Sequence, residues 1–104
     1  MGLKINWTNF AKLELQKIFN YYNTNVSPAI AKNIVIGIVN ESKKLQNNPE
    51  IGQEEEFLIE LGDYRYFLYS NYKIVYVFNK NANTIEVHDV FDTRQNPLKL
   101  KRRK

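Results

Sequence analysis

The sequence predicts an α+β fold: an N-terminal strand and an antiparallel helical hairpin packed on an antiparallel β-sheet, in a single domain. Three observations predict it. Apolar residues recur at helical spacing between residues 8 and 47, and they alternate with period two from residue 64 to residue 91. The breaks inside each half are too short for crossover connections, so neighbouring elements run antiparallel. The chain of 104 residues is 43% hydrophobic and 13% aromatic, enough for one core and too apolar for a disordered chain.

Each element has its own signal. Leu3 to Trp7 alternates apolar and polar residues and reads as a short strand. Thr8 or Asn9 then caps a helix whose buried face is Ala11, Leu15, Ile18 and Tyr22. Asn23-Thr24-Asn25 ends that face, and Ser27-Pro28 restarts it with a cap and a proline at the first helical position. The second helix is expected to run to about Asn47, with a stripe of Ile30 or Ala31, Ile34, Ile38, Ser42 and Leu45. Asn48-Pro49-Glu50-Ile51-Gly52 breaks it and opens an acidic loop through Asp63, read as solvated. Tyr64–Tyr69, Tyr72–Phe78 and Thr84–Phe91 are three strands, joined by turns at Ser70-Asn71 and at residues 79–83.

Charge is distributed unevenly. Residues 1–47 carry six lysines and two glutamates, and residues 48–63 carry six acids and no base. The last six residues, Lys-Leu-Lys-Arg-Arg-Lys, hold five of the fifteen basic side chains, so the net charge of +4 depends on that end. The division expected is a folded domain over 1–98 and a basic tail over 99–104, a solubilising end or one that touches nucleic acid or an acidic protein. The absence of cysteine excludes disulfide scaffolds and thiol chemistry, and a single histidine makes a metal site unexpected. No metal and no cofactor are expected. No apolar run approaches the roughly 18 residues of a membrane span, and the start lacks a signal-peptide pattern. The expectation is a cytoplasmic protein without a membrane partner.

Strand phase assigns the faces. Ile74, Tyr76 and Phe78 should meet the helices, with Arg65, Phe67 and Tyr69 beside them. Tyr64, Tyr66, Leu68 and Lys73 then share the other face, expected to be open and available for binding.

The residues also resemble a known family. Trp7-Thr8-Asn9-Phe10-Ala11, Asn48-Pro49-Glu50-Ile51-Gly52, Tyr64-Arg65-Tyr66 with Asn71-Tyr72-Lys73-Ile74-Val75-Tyr76, and Val90-Phe91-Asp92-Thr93-Arg94-Gln95-Asn96-Pro97 stand in the order seen in the RelE/ParE superfamily of bacterial toxins. The resemblance covers roughly residues 3 to 98 and implies the toxin of a type II toxin–antitoxin pair, held silent by a cognate antitoxin. It implies one of two targets: DNA gyrase, blocked by binding, or the ribosome, where messenger RNA is cut. A third possibility is a degenerate, non-toxic subunit that only binds antitoxin.

Metal-free RNA cleavage needs a base for the 2′-hydroxyl, cations for the developing charge and an acid for the leaving oxygen. The resemblance places Lys73 where RNA-cutting relatives carry an arginine, and Arg94 where they carry another. Tyr64 and Tyr66 stand where those relatives add lysines, and their terminal tyrosine or histidine has no counterpart in Leu98-Lys99-Leu100. His88 is a candidate general acid; its structural alternative is a half-buried ring bonded to a neighbour. Arg65 is a candidate binding residue, with a structural alternative of pairing with Glu54–Glu56 or Asp63. Phe91-Asp92-Thr93-Arg94-Gln95 resembles the ParE side more closely, although histidine is common there at the place of Asp92. The gyrase-binding reading, with Arg94 retained under either mechanism, is preferred.

Overall fold

A computed structural model describes residues 2–102. The elements are β1 (Lys4–Trp7), α1 (Asn9–Asn25), α2 (Pro28–Ser42), β2 (Gln53–Glu54), β3 (Arg65–Tyr69), β4 (Tyr72–Asn79) and β5 (Thr84–Asp92). Single 3₁₀ turns follow α2 (Lys43–Gln46), precede β3 (Glu56–Leu61) and close the described chain (Pro97–Lys101). Both helices start as their sequences dictate. The Thr8 hydroxyl accepts the Ala11 N–H at 3.1 Å, and the Ser27 hydroxyl accepts the Ile30 N–H at 3.1 Å ahead of Pro28.

The second helix stops earlier than expected, at Ser42, whose hydroxyl donates to the Val39 carbonyl at 2.6 Å. The tighter turn that follows buries Leu45 and docks Gln46 on the start of β1. There the Leu3 N–H donates to the Gln46 carbonyl, and the Gln46 amide donates to the Leu3 carbonyl at 2.9 Å.

The sheet order is β1-β5-β4-β3-β2. The pairs β2–β3, β3–β4 and β4–β5 are antiparallel, and Tyr69 faces Tyr72 and Leu68 faces Lys73 across the Ser70-Asn71 turn, as strand phase requires. Ser70 adopts a positive φ of 56° to close that turn. β1, however, pairs in parallel with β5, so the sheet is mixed rather than wholly antiparallel. The hairpin of helices carries the chain from β1 across the sheet to β2 at the opposite edge, and the antiparallel strands then return to place β5 beside β1.

On the near face, Ala11 and Ile38 of the helices close over Tyr72, Ile74, Val87 and Val90. Leu15, Ile18, Tyr22, Ile34, Phe67 and Tyr69 pack around them. Tyr76 and Ile85 continue this core toward Leu45. The Tyr76 hydroxyl donates to the Pro49 carbonyl at 2.9 Å and accepts the Gly52 N–H at 2.9 Å, which ties down the exit from the second helix.

The far face is not open. Leu58 from the turn before β3 and Leu100 from the turn after β5 cover Val75 and Phe91, with Tyr64 and Tyr66 at the margin. A single apolar side chain on each short turn seals the face. The basic end is therefore partly packed: Leu100 is only 1% exposed and Arg102 is half-buried, while Lys99 and Lys101 are exposed; Arg103 and Lys104 lie outside the described residues. The acidic loop is likewise partly interior, since Glu55 is 1% exposed.

Register shifts once. Val75 pairs with Asp89 but Tyr76 pairs with Val87, which leaves His88 as an extra residue in β5. This bulge turns Val87 and Val90 to the same side although they are three apart.

Truncating Leu100→Ala should cost about 2–5 kcal/mol, the range for a buried leucine that leaves a cavity. Urea unfolding measures this; a loss near zero would show the segment to be no part of the core.

Candidate functional site

The strands deliver the candidate residues to two different faces. On the near side, α1 and the end of β5 enclose a cleft of ≈ 410 Å³ lined by Lys17, Ile18, Tyr21, Tyr72, Asp92 and Arg94, among others. Asp92 lies at the last position of β5, opposite Tyr72. Its carboxylate accepts the Arg94 backbone N–H at 2.9 Å, Nε at 3.0 Å and Nη2 at 2.8 Å, and the Asn71 amide at 3.2 Å. These bonds, led by the Arg94 side chain, lower the Asp92 carboxyl to about 2. The same pairing pushes the Arg94 guanidinium above its ordinary value. Arg94 keeps 66% of its side chain exposed, so it is oriented by Asp92 and still faces solvent. In the floor of the cleft the Tyr72 hydroxyl donates to the Tyr22 hydroxyl at 3.3 Å. Burial, followed by this bond, raises the Tyr72 phenol far above its ordinary value and keeps it neutral.

Lys73 points to the opposite face. Its ammonium sits 2.6 Å from Glu55 Oε1 and 4.2 Å from the centre of the Tyr66 ring. Glu55 is held in turn by donating its N–H to the Tyr64 carbonyl and by accepting the Phe57 N–H at 3.2 Å. Tyr66 donates its hydroxyl to Gln53 at 3.3 Å. Tyr64 meets the His88 ring edge-on at 5.3 Å, and His88 Nε2 lies 3.4 Å from Glu86 Oε1. The histidine is half-buried and bonded to a neighbour, the alternative weighed against a general acid.

Arg65 takes a structural position with a different partner from the one expected. Its Nη1 donates to the Gly52 carbonyl at 2.9 Å rather than to a loop carboxylate. The reason is the Gln53–Glu54 pairing with β3, which lays the backbone of residue 52 beside it.

Arg94 and Asp92 thus come together, and Lys73, Tyr64, Tyr66 and His88 gather on the other side of the sheet. Lys73 and Arg94, aligned in sequence with one catalytic pocket, do not converge. Sequence reasoning missed Tyr72 as the cleft floor and Glu55 as the partner of Lys73. Phase alone placed Tyr72 on the helix side, whereas Glu55 is indistinguishable in sequence from the acids around it. Among the described residues no group of three or more acidic or histidine side chains is arranged to hold a metal ion, and no helix is long and apolar enough to cross a membrane.

A helical hairpin laid on this mixed five-stranded sheet is the RelE/ParE-type fold. It is shared with the chromosomal ParDE toxin–antitoxin system of P. aeruginosa, at a TM-score of 0.72 and 20% identity over 86% of this chain and 95% of that one. It is also shared with the RelBE2 toxin–antitoxin complex of Mycobacterium tuberculosis, at a TM-score of 0.60 and 18% identity over 88% of this chain and 99% of that one. No curated protein sequence matches significantly. The family model described as the ParE toxin of the type II toxin–antitoxin system parDE matches residues 5–97. The chain belongs to the ParE toxin family.

The pH dependence of Asp92 has a definite sign. Its carboxyl titrates at about 2 in the folded chain against an ordinary value of 3.8, so its contribution to stability is complete above about pH 4 and lost as pH falls toward 2. Thermal melts of the wild type and Asp92→Asn should differ at pH 5 and converge at pH 2. A difference that does not change with pH would remove the Asp92–Arg94 pair as its source.

Proposed function

We propose that this ParE-family toxin arrests bacterial growth by binding DNA gyrase, without cutting RNA, and that a cognate antitoxin silences it in the cytoplasm. One observation carries the choice of target: Lys73 and Arg94 lie on opposite faces of the sheet, each held by a carboxylate of its own chain. Phosphorane stabilisation requires cations aimed at one phosphate, with acid and base within hydrogen-bonding reach of it. A lysine locked 2.6 Å from a buried glutamate and an arginine beyond the sheet do not make that arrangement. His88, beside Tyr64 and Glu86, adds its imidazole to the far face and not to the cleft of Arg94.

A binding mechanism needs surface instead. The helical hairpin leaves Leu13, Tyr21, Val26, Ile30 and Ile36 exposed, and residues 1–47 hold six lysines against two glutamates. Apolar side chains among cations suit a protein partner, with arginine and tyrosine as the usual anchors. Arg94 and Tyr21 stand together at the mouth of the cleft. The antitoxin follows from the same family membership, and the two similar structures are both toxin–antitoxin assemblies. A segment that folds on binding can wrap a large surface and remain removable by proteolysis.

The antitoxin-free protein should block supercoiling by purified gyrase and leave messenger RNA intact on a programmed ribosome. Ribosome-dependent cuts with unimpeded supercoiling would overturn the reading, and loss of both effects together with normal growth on induction would mark a non-toxic subunit. Arg94→Ala should fold and weaken growth inhibition roughly tenfold or more, as expected for an arginine anchor. A folded and fully toxic Arg94→Ala would remove this residue from the binding surface.

A further inference from the structure

A second enclosed charge cluster belongs to neither the cleft nor the Lys73 pair. Arg102 Nη1 donates to Asp89 Oδ2 at 2.9 Å, and Nη2 donates to Asp89 Oδ1 at 2.9 Å and to Glu14 Oε1 at 3.0 Å. Nη1 also donates to the Lys99 carbonyl at 2.9 Å. The guanidinium carbon lies 5.0 Å from the centre of the Phe10 ring and 5.3 Å from that of Phe91. Asp89 is only 3% exposed. Burial raises its carboxyl above the ordinary value, and the Arg102 bonds oppose that rise.

We propose that Phe10, Glu14, Asp89 and Phe91 form a guanidinium-selective cage, which Arg102 fills in cis. All four residues belong to α1 and β5, so the receptor is complete without the segment that occupies it. Its chemistry selects a planar cation. One carboxylate takes two parallel N–H bonds end-on from Nη1 and Nη2, a second carboxylate takes a third, and two rings receive the flat cation. An ammonium is a compact, strongly hydrated point charge and cannot reproduce that set. In cis Arg102 is favoured by effective concentration, because the same segment is anchored by buried Leu100. The cage also reaches the cleft, since the other oxygen of Glu14 holds Lys17 at 3.0 Å.

The test is chemical rescue, read without gyrase or ribosome. Arg102→Ala leaves the buried Asp89 carboxylate uncompensated, takes from Glu14 one of its two cations, and should lower the Tm by about 10 °C or more. Millimolar methylguanidinium should then raise that Tm by a few degrees through mass action. Equal methylammonium should not, and the wild type should respond to neither cation. Rescue should be lost when Glu14→Gln is added to Arg102→Ala. No rescue, equal rescue by both cations, or the same shift in the wild type would overturn the cage. Should Arg102→Ala not fold, Arg102→Lys provides the test: amide exchange should accelerate in residues 97–101 and in the first turns of α1, but not in the β3–β4 hairpin. Full protection with lysine at 102 would show that the site has no preference for guanidinium, and the proposal would fail.

Discussion

A single extra residue in β5 decides what each side of the sheet carries. Strict alternation from Val87 would send Asp89 and Phe91 toward the helices and Val90 and Asp92 away from them. The bulge at His88 exchanges these assignments, so Val90 joins the near core and Asp92 reaches the cleft, while Asp89 and Phe91 turn to the far face. The two carboxylates of β5 owe their partners to that exchange. Asp92 orients Arg94 beside α1 because it is on the near side, and Asp89 finds Arg102 because it is not. A one-residue slip would invert both relationships, as any change of register by one does in a sheet.

The central strands consequently have two cores to satisfy. Ile74, Val87 and Val90 are covered by helices, whereas Val75 and Phe91 are covered by two 3₁₀ turns that contribute Leu58 and Leu100. Helices supply a broad apolar stripe, and the turns supply one side chain each, so ionic and ring contacts carry more of the closure on the far side. Lys73–Glu55 and Arg102–Asp89 both lie there, each joining a nearly inaccessible carboxylate to a partly exposed cation. Pairs of this kind contribute little net stability over apolar substitutes but enforce one geometry, because any misplacement leaves a buried charge alone.

Elements whose signal is periodic were legible in the sequence. The caps at Thr8 and Ser27, the stripe of α1 and the register around Ser70-Asn71 follow from residue spacing alone. The family could also be recognised from local strings. What was illegible lacks a period. The bulge at His88 carries no glycine or proline to mark it, and β2 is only two residues long. Leu58 is one of four apolar residues in Phe57-Leu58-Ile59-Glu60-Leu61 with no period to single it out, Leu100 stands among basic residues, and nothing in sequence separates Glu55 from Glu54 or Arg102 from Arg103. The candidate site was therefore half readable. Arg94 and Asp92 stand two residues apart, so their pairing is local, but the separation of Lys73 from them depends on facing, which the bulge resets.

The parallel partnership of β1 and β5 sets an order of events during synthesis. Lys4 pairs with Thr84 and Trp7 with Val87, so the first described strand waits for the last. At about 5–20 residues per second that interval is roughly 4–16 s. Throughout it the helical hairpin has no sheet to cover, because Ile74, Val87 and Val90 have not yet been assembled beneath it. The nascent chain therefore carries no completed surface for any target. The surface that spans helices and sheet is complete only once β5 has been made and has paired with β1.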